Sequence, residues 1–509
     1  MKNPQVLGVS VPRCVVAVIV AALWVSSASA QTAPIRQLVV PFENVTRQAR
    51  GYWLTEGSAV LLSDDLLALG VPAITREDRL RAFDRLKVPP VAALSYATVI
   101  RIGQLVGAGQ VVVGGFEIDG DDLTVRARTI RIDSGRMSPD IVERGSLGDI
   151  YEVFARVARR VVPDSPISVE QMEQSHPPLA AFEQYIKGVL AEAPATQIAF
   201  ITQALRLSPT FERARVALWG IHTEASDHLS ALAVIRQVPD GHRLARQAGF
   251  LEALSLLSLG QYQAAFTAFQ ALNQSAADAA LLNNLGIVQL RRPAGSQQGR
   301  AVQYFEQALK VDPADSDLFF NLGYAYWLER DRDGAIYWLR ETVRRNPADD
   351  AAHYVLGVAL QAAGNMTEAA REKELARQLS AAYADWEATQ GGANTVPPSL
   401  ERVKVDIDLP AALRVEDAMV AAEQRDQREL AVFHLDRGRR FFEAQRDVEA
   451  IAELRRTVFL SPYHSEAHVL LARIYLRTGR TQEAIDALKI AVWSDPANAD
   501  AKALLDSLP

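Results

Sequence analysis

The sequence predicts an α+β protein built in two unlike parts, a small α/β domain followed by an α-helical solenoid of short repeats. Three observations carry that expectation. From residue 31 to about 165 the hydrophobic pattern switches roughly every 8 to 15 residues, as alternating strands and helices do. From about 177 onward the composition turns to Ala, Leu and Gln at helical spacing. In that second part small residues and prolines recur at one interval: Pro313 and Pro347, Gly323 and Gly357, Ala335 and Ala369, Gly438 and Ala472, Ala450 and Ala484, and Pro462 and Pro496 are each 34 residues apart.

Residues 1–30 stand apart from both. Lys2 and Arg13 precede an apolar run of 12 residues from Cys14 to Val25, and Ala28-Ser29-Ala30 follows. That is the layout of a secretory signal peptide, with cleavage expected between Ala30 and Gln31. The run is well short of the ~20 residues that cross a bilayer as a helix; an uncleaved anchor is the alternative. Cys14 opens the apolar run instead of following it, so it cannot be the lipid-bearing first residue of a lipoprotein. The expected location is periplasmic or extracellular in a bacterium, with no integral membrane segment after cleavage.

Composition narrows the function. The chain has 54 Lys plus Arg against 61 Asp plus Glu and no clustered basic stretch, so nucleic acid is not an expected partner. Cys14 is the only cysteine, which leaves the mature chain without a disulfide or a thiolate metal site. The acidic excess lies in the repeats, which favours cationic over anionic partners.

Within the first part, Gln37 to Phe42 reads as a short strand and Trp53 to Leu69 as a helix with one broad apolar face, ended by Gly70. Val71 to Ile74 reads as a second short strand, and Leu94 to Val106 as a helix. Val111 to Ile118 and Leu123 to Ile132 flank Asp119-Gly120-Asp121-Asp122, a hairpin signal because Gly and Asp tolerate the positive φ of tight turns. Tyr151 to Val162 closes the unit as a helix. The stretches LVVPFENVT (38–46), LLALGVPAIT (66–75), IRIGQLVGAGQVVVGG (100–115) and LTVRARTIRIDSGRM (123–137) resemble the amino-terminal domain of the TolB family. The resemblance implies an assembly and protein-contact module, and it brings no catalytic residues.

A period of 34 with small residues at positions 8, 20 and 27 and Pro at 32 is a helix-turn-helix repeat pattern. The run Leu318 to Trp327, followed by Gly334-Ala335-Ile336, resembles the tetratricopeptide consensus. Positions 8 and 20 are expected to face each other where the two helices of a repeat cross. Counting outward gives about seven units, the clear ones starting near 279, 316, 350, 431 and 465 and weaker ones covering 180–278. Three extra residues fall within Arg291 to Arg300. Between 377 and 430 the register is lost, and Gly391-Gly392, Pro397-Pro398 and Pro410 break the chain. That stretch reads as a lengthened helix to about Gln390, a loop, an extended piece from Val403 to Leu409, and a helix. The domain plan is therefore a signal peptide (1–30), an α/β domain (31–165), a repeat array (166–376), an irregular insert (377–430) and a final repeat pair with its cap (431–509).

Motifs for chemistry are sparse. Gly107-Ala108-Gly109 follows a helix and precedes a strand, the reverse of a dinucleotide-binding turn. Asp119, Asp121 and Asp122 suit a hairpin turn better than a calcium loop. His464 and His468 have a helical zinc-pair spacing but not the Glu placement of that motif, and His222 and His228 have no third ligand. There is no nucleophile elbow and no phosphate loop. No metal, no cofactor and no enzymatic activity are expected. An enzyme with an unrecognised site in the α/β domain is one rival reading, although residues 31–165 contain no histidine; a regulatory or sensory partner of an envelope complex is another.

What remains is surface recognition. The resemblance to tetratricopeptide arrays implies that positions 2, 5, 6, 9, 12 and 13 of each first helix face a concave groove. Those positions hold Asn283 and Asn284 in one unit, Phe320, Asn321, Tyr324 and Trp327 in the next, and Tyr354 in the third. Amides can pair with an extended peptide backbone, and aromatics offer large contact area at small entropy cost. Packing between repeats is the competing role for the same residues. The function expected is that of an exported, non-catalytic scaffold or adaptor of the cell envelope that binds a protein or peptide.

Amino-terminal sequencing of the native protein should begin at Gln31. An intact Met1 species recovered from the inner membrane would instead establish the anchor.

Overall fold

The structure, a computed structural model, describes residues 35–508 apart from 87, 89–93, 174–175, 294–298, 391–394 and 408–416; side chains of 390 and 417–429 are also outside the description. The expected signal peptide with its Ala30–Gln31 junction, Gly391-Gly392, Pro410 and the last two residues of the expected extended piece therefore lie outside the described residues.

The first part is a sheet with helices on both faces. Its elements are β1 (Gln37–Val39), β2 (Glu43–Asn44), α1 (Tyr52–Ala68), α2 (Arg76–Arg85), α3 (Tyr96–Leu105), β3 (Gln110–Asp119), β4 (Asp122–Arg131), β5 (Ile141–Ser146) and α4 (Ile150–Val161). The sheet order is β1-β3-β4-β5, with β2 also alongside β3. β1 and β2 run parallel to β3, and the remaining pairs are antiparallel. Alternation along each strand divides the core. Val112, Phe116 and Ile118 of β3 with Leu123, Val125 and Ala127 of β4 meet α1 and α4, whereas Val111 and Ile130 join Phe83 of α2 and Ile102 of α3 on the other face. Gly114 is required where β1 leads into its loop: a Cβ there would lie 2.4 Å from the Arg126 carbonyl and 2.5 Å from the Phe42 ring.

The expected strand from Val71 to Ile74 is reduced to a single bridge between Gln37 and Ala73. Pro72 has no N–H to give, so the contact stops at Gln37 N–H to Pro72 O (2.9 Å) and Ile74 N–H to Gln37 O (2.8 Å). Two elements were not legible in the hydrophobic pattern. α2 is mostly charged and starts on the Thr75 cap, whose hydroxyl accepts from Asp78 N–H at 3.1 Å. β5 is a short edge strand with the sequence IVERGS.

After α5 (Val169–Glu173) the chain is helical. Six antiparallel pairs follow in succession: α6 (Leu179–Leu190) with α7 (Pro194–Leu207), α8 (Glu212–Glu224) with α9 (His228–Ile235), α10 (Ala245–Ser258) with α11 (Tyr262–Ser275), α12 (Ala279–Arg291) with α13 (Ala301–Val311), α14 (Ser316–Leu328) with α15 (Arg332–Arg345), and α16 (Asp350–Ala362) with α17 (Met366–Leu379). α18 (Ala382–Gln390) is separate from α17, so the lengthened helix expected to Gln390 is broken; Ser380, with φ −148° and ψ 127°, is extended. α19 (Asp417–Glu443) pairs with α20 (Asp447–Leu460), α21 (Ser465–Arg477) pairs with α22 (Thr481–Ser494), and α23 (Ala499–Asp506) covers the end. That makes eight pairs among the described residues where the sequence ruler counted about seven.

The close approach within a repeat differs in detail from the expectation. A Cβ at position 8 would meet the side chain at position 24, one helical turn beyond position 20: Gly286 faces the Phe305 ring at 2.7 Å, Gly323 faces Leu339 at 2.8 Å and Gly438 faces Leu454 at 2.8 Å. Positions 20 and 24 share one face of the second helix. Position 20 stays small because it is buried in the same crossing, as at Ala335 and Ala450.

The hydrophobic core does not stop at residue 165. Trp53 of α1 and Tyr151 of α4 pack edge-on against Phe182 of α6, and the same cluster runs on to Phe211 and Leu218. Polar contacts reinforce the junction. His176 pairs with Asp65 at 2.8 Å, Arg213 grips both oxygens of Asp64 at 2.5 Å, and Arg76 donates to Val189 O at 3.2 Å. The far end returns to the same place: Trp493 of α22 packs against Tyr463 and, edge-on, against Tyr52, while Ser461 donates to Glu192.

Gly323→Ala should lower stability by about 1–3 kcal/mol through overpacking against Leu339. Gly220→Ala, with open space around its Cβ on α8, should raise it by about 0.5–1 kcal/mol through helix propensity. Thermal denaturation of the two variants checks the sign of each; a neutral Gly323→Ala would contradict the tight crossing.

Candidate protein-binding groove

The first helices α12, α14 and α16 stand side by side, and their groove residues converge on one object, the extended segment 395–407 of the same chain. Asn284 and Asn321 each make a two-way contact with its backbone. Asn321 Oδ1 accepts from Arg402 N–H at 2.8 Å while its Nδ2 donates to Arg402 O at 2.9 Å. Asn284 Oδ1 accepts from Lys404 N–H at 2.9 Å while its Nδ2 donates to Lys404 O at 2.8 Å. In an extended chain, residues i and i+2 present their backbone groups to the same side ~7 Å apart. Two equivalent amides in successive repeats thus read residues 402 and 404. Asn283 adds a donor to Arg402 O at 2.8 Å and accepts from Asn321 Nδ2 at 2.7 Å.

All three asparagines are fully buried. Each buried amide left without a partner costs about 1–3 kcal/mol, so the segment and the groove stabilise one another. The hydroxyls of Tyr324 and Tyr354 extend the contact, donating to Pro397 O at 3.3 Å and Thr395 O at 3.2 Å; Trp386 Nε1 also donates to Thr395 O at 3.2 Å. Phe320 lies under the Arg402 guanidinium, 4.0 Å from ring centroid to Cζ, and stacks on Tyr324. Trp327 makes no hydrogen bond to the segment among the described contacts. It sits half-buried at the rim with Val396 and walls a cavity of about 420 Å³ with Tyr262, Tyr324 and Pro398.

The electrostatics are acidic. Arg402 reaches Asp317 at 2.8 Å and Asp349 at 2.5 Å, and Lys404 reaches Asp315 at 2.9 Å and Asp317 at 2.6 Å. Burial by itself would raise the Asp317 carboxyl, but Lys404 and Arg402 outweigh it and hold Asp317 below the ordinary carboxylate range. Asp315 goes the other way, since its burial outweighs the attraction of Lys404. Arg291, at the end of α12, is bound to Glu401 at 3.0 Å. The segment continues past the repeats to the α/β domain: Val403 and Ile407 pack against the core around α10 and α11, and Asp406 pairs with Arg81 of α2. There Val405, Asp406 and Ile407 border a cavity of about 530 Å³ between the α/β domain and α10.

The structure therefore brings Asn283, Asn284, Phe320, Asn321, Tyr324 and Tyr354 onto a single extended chain and leaves Trp327 at the edge. Sequence reasoning missed the acidic side of the site. Asp315 and Asp349 also cap α14 and α16, and their place just before each helix conceals a second use. The alternation of Arg402, Lys404 and Asp406 with Val403, Val405 and Ile407 was the available signal for an extended, two-sided segment. Elsewhere, His464 is the cap of α21 and His468 Nε2 lies 2.8 Å from Pro462 O, with burial holding its imidazole down to about 4. Arg439 pairs with Glu466, Arg473 with Asp500 and Arg477 with Asp447.

Comparison with known proteins supports the repeats. The tetratricopeptide repeat family model matches residues 299–350 and 339–384, and a second tetratricopeptide repeat model matches 441–508. Tetratricopeptide repeats are thus present on either side of residues 385–440. Among solved structures, Pseudomonas aeruginosa PilF is 16% identical over 38% of this chain and 89% of that one, with a TM-score of 0.33. MamA from Desulfovibrio magneticus RS-1 is 18% identical over 33% of this chain and 94% of that one, with a TM-score of 0.29. The Cut9–Hcn1 hetero-tetramer of the APC/C gives 14% identity over 70% of this chain and 59% of that one, with a TM-score of 0.29. At these scores the likeness carries no argument about function. No curated protein matches the sequence. No described helix is long and apolar enough to cross a membrane.

Asn321→Ala removes both contacts to Arg402 and should loosen the segment by about 1–3 kcal/mol. Trypsin cleavage after Arg402 and Lys404 under native conditions should accelerate while far-UV circular dichroism stays unchanged. Unaltered cleavage would show that the amides do not hold the segment.

Proposed function

We propose that this chain is an exported, non-catalytic scaffold of the bacterial cell envelope whose repeat groove binds extended segments of other proteins. The observation that carries the reading is the two-way pairing of Asn284 and Asn321 with backbone N–H and C=O groups, because it recognises an extended main chain whatever its side chains. Tetratricopeptide repeats commonly serve protein-protein interaction, and the sequence of residues 1–30 supports export to the periplasm or beyond. The α/β domain, by its resemblance to the TolB amino-terminal domain, supplies a second protein-contact module fused to the first repeat.

Photo-crosslinking in cells tests the groove. A benzoylphenylalanine residue placed at Trp327, on the half-exposed rim, should yield adducts between this chain and a second protein. Adducts confined to residues 395–407 of the same chain under every growth condition would make the groove a closed structural element and end the scaffold reading.

A further inference from the structure

We infer that residues 395–407 are an internal stand-in for the groove's partner, and that this partner offers an extended segment with two cationic side chains two residues apart. The inference rests on the scaffold reading above and specifies the partner's chemistry. Three features of the groove support it.

First, recognition divides into two layers. In the segment the asparagines contact only backbone, so any extended chain satisfies them. Selectivity then falls to the carboxylates of Asp315, Asp317 and Asp349, which are met by Arg402 and Lys404. Asp315 and Asp349 also serve as helix caps, and a cap needs no cation. Asp317 is the discriminating residue, because its carboxylate faces both cations and is buried. An anionic or neutral segment in this groove would leave three carboxylates close together without charge compensation. The spacing follows from the strand: side chains of i and i+2 point the same way, and the arginine stacks on Phe320 as it enters.

Second, the internal segment fits imperfectly. Ser399 has a φ of +61°, a conformation that a residue with a Cβ adopts at a cost. Ser399 is exposed and borders the cavity of about 420 Å³ walled by Tyr262, Tyr324, Trp327 and Pro398. A partner without that kink makes the same contacts without the strain.

Third, the segment is a bridge as well as an occupant. Asp406 pairs with Arg81 and Ile407 packs on the core around α10 and α11. Displacing it from the groove therefore also unfastens the contact to the α/β domain, so binding of a partner is reported at a distance.

The test uses the full mature chain and a fluorescent synthetic peptide with the sequence of residues 395–407. Release comes from Arg402→Glu with Lys404→Glu in the protein, which turns the internal segment against the three aspartates. A second variant, Ser399→Gly, relieves the kink and tightens the internal segment. The released protein should bind the peptide at least tenfold more tightly than wild type, and Ser399→Gly should bind it more weakly than wild type. A peptide carrying Arg402→Glu and Lys404→Glu should bind the released protein at least tenfold more weakly than the native peptide.

Asp317→Asn with Asp349→Asn, introduced into an otherwise wild-type chain, keeps the test open should the released protein not fold; its preference for the cationic peptide should fall severalfold. Equal affinity for both peptides would overturn the charge rule and leave the scaffold reading standing. No binding of either peptide to a folded released protein would overturn both. Wild-type protein that dimerises through exchange of residues 395–407 would make a second copy the partner, overturning the proposal of a separate protein.

Discussion

Buried amides are the constraint on which this molecule turns. Asn283, Asn284 and Asn321 sit fully buried on the concave side of adjacent repeats, where an asparagine has two donors and an acceptor to satisfy. Neighbouring helices satisfy them only in part, through the contact between Asn321 and Asn283, because backbone groups in a helix are already spent on one another. An extended chain can satisfy the rest, since each residue of a lone strand offers an unpaired N–H and C=O on one edge. The groove therefore requires an occupant of that conformation, and residues 395–407 supply one.

The rest of the architecture holds this arrangement in place. The first repeat shares a hydrophobic core with the α/β domain through Trp53, Phe182 and Tyr185, which fixes where the array begins. The last repeat pair returns to the same region through Trp493 and Tyr52. The segment from 395 to 407 then crosses the interior of that closed path, from α16 back through α14 and α12 to α2. Its charges match what it passes: Glu401 on Arg291, Arg402 and Lys404 on three aspartates, Asp406 on Arg81. Pairs this buried are costly to break one partner at a time, because the remaining charge stays in a poor solvent for it.

Legibility in the sequence followed the physics of each element. The repeats were readable because close helix crossings demand glycine or alanine at a fixed interval, as at Gly323, Gly357, Ala335 and Ala369. The hairpin of β3 and β4 was readable because Gly120 takes a positive φ between two alternating strands. α2 was not, since its hydrophobic content is little more than Leu80, Ala82 and Phe83, and its position depends on Arg76 and Arg79 meeting Glu56 across the fold. In the groove, the asparagines and aromatics were visible from the repeat ruler together with the resemblance to tetratricopeptide arrays. Their occupant was not, because its contacts join residues about 80 to 120 positions apart in the chain, and no local pattern records which groove a strand enters.

The backbone amides of Arg402 and Lys404 report most directly on whether the groove is a main-chain reader already filled by its own chain. Residue-resolved hydrogen exchange of the native protein should show both N–H groups protected, with the neighbouring N–H of Val403, on the opposite edge, exchanging faster. Uniformly rapid exchange across residues 400–406, as for a free loop, would contradict the account.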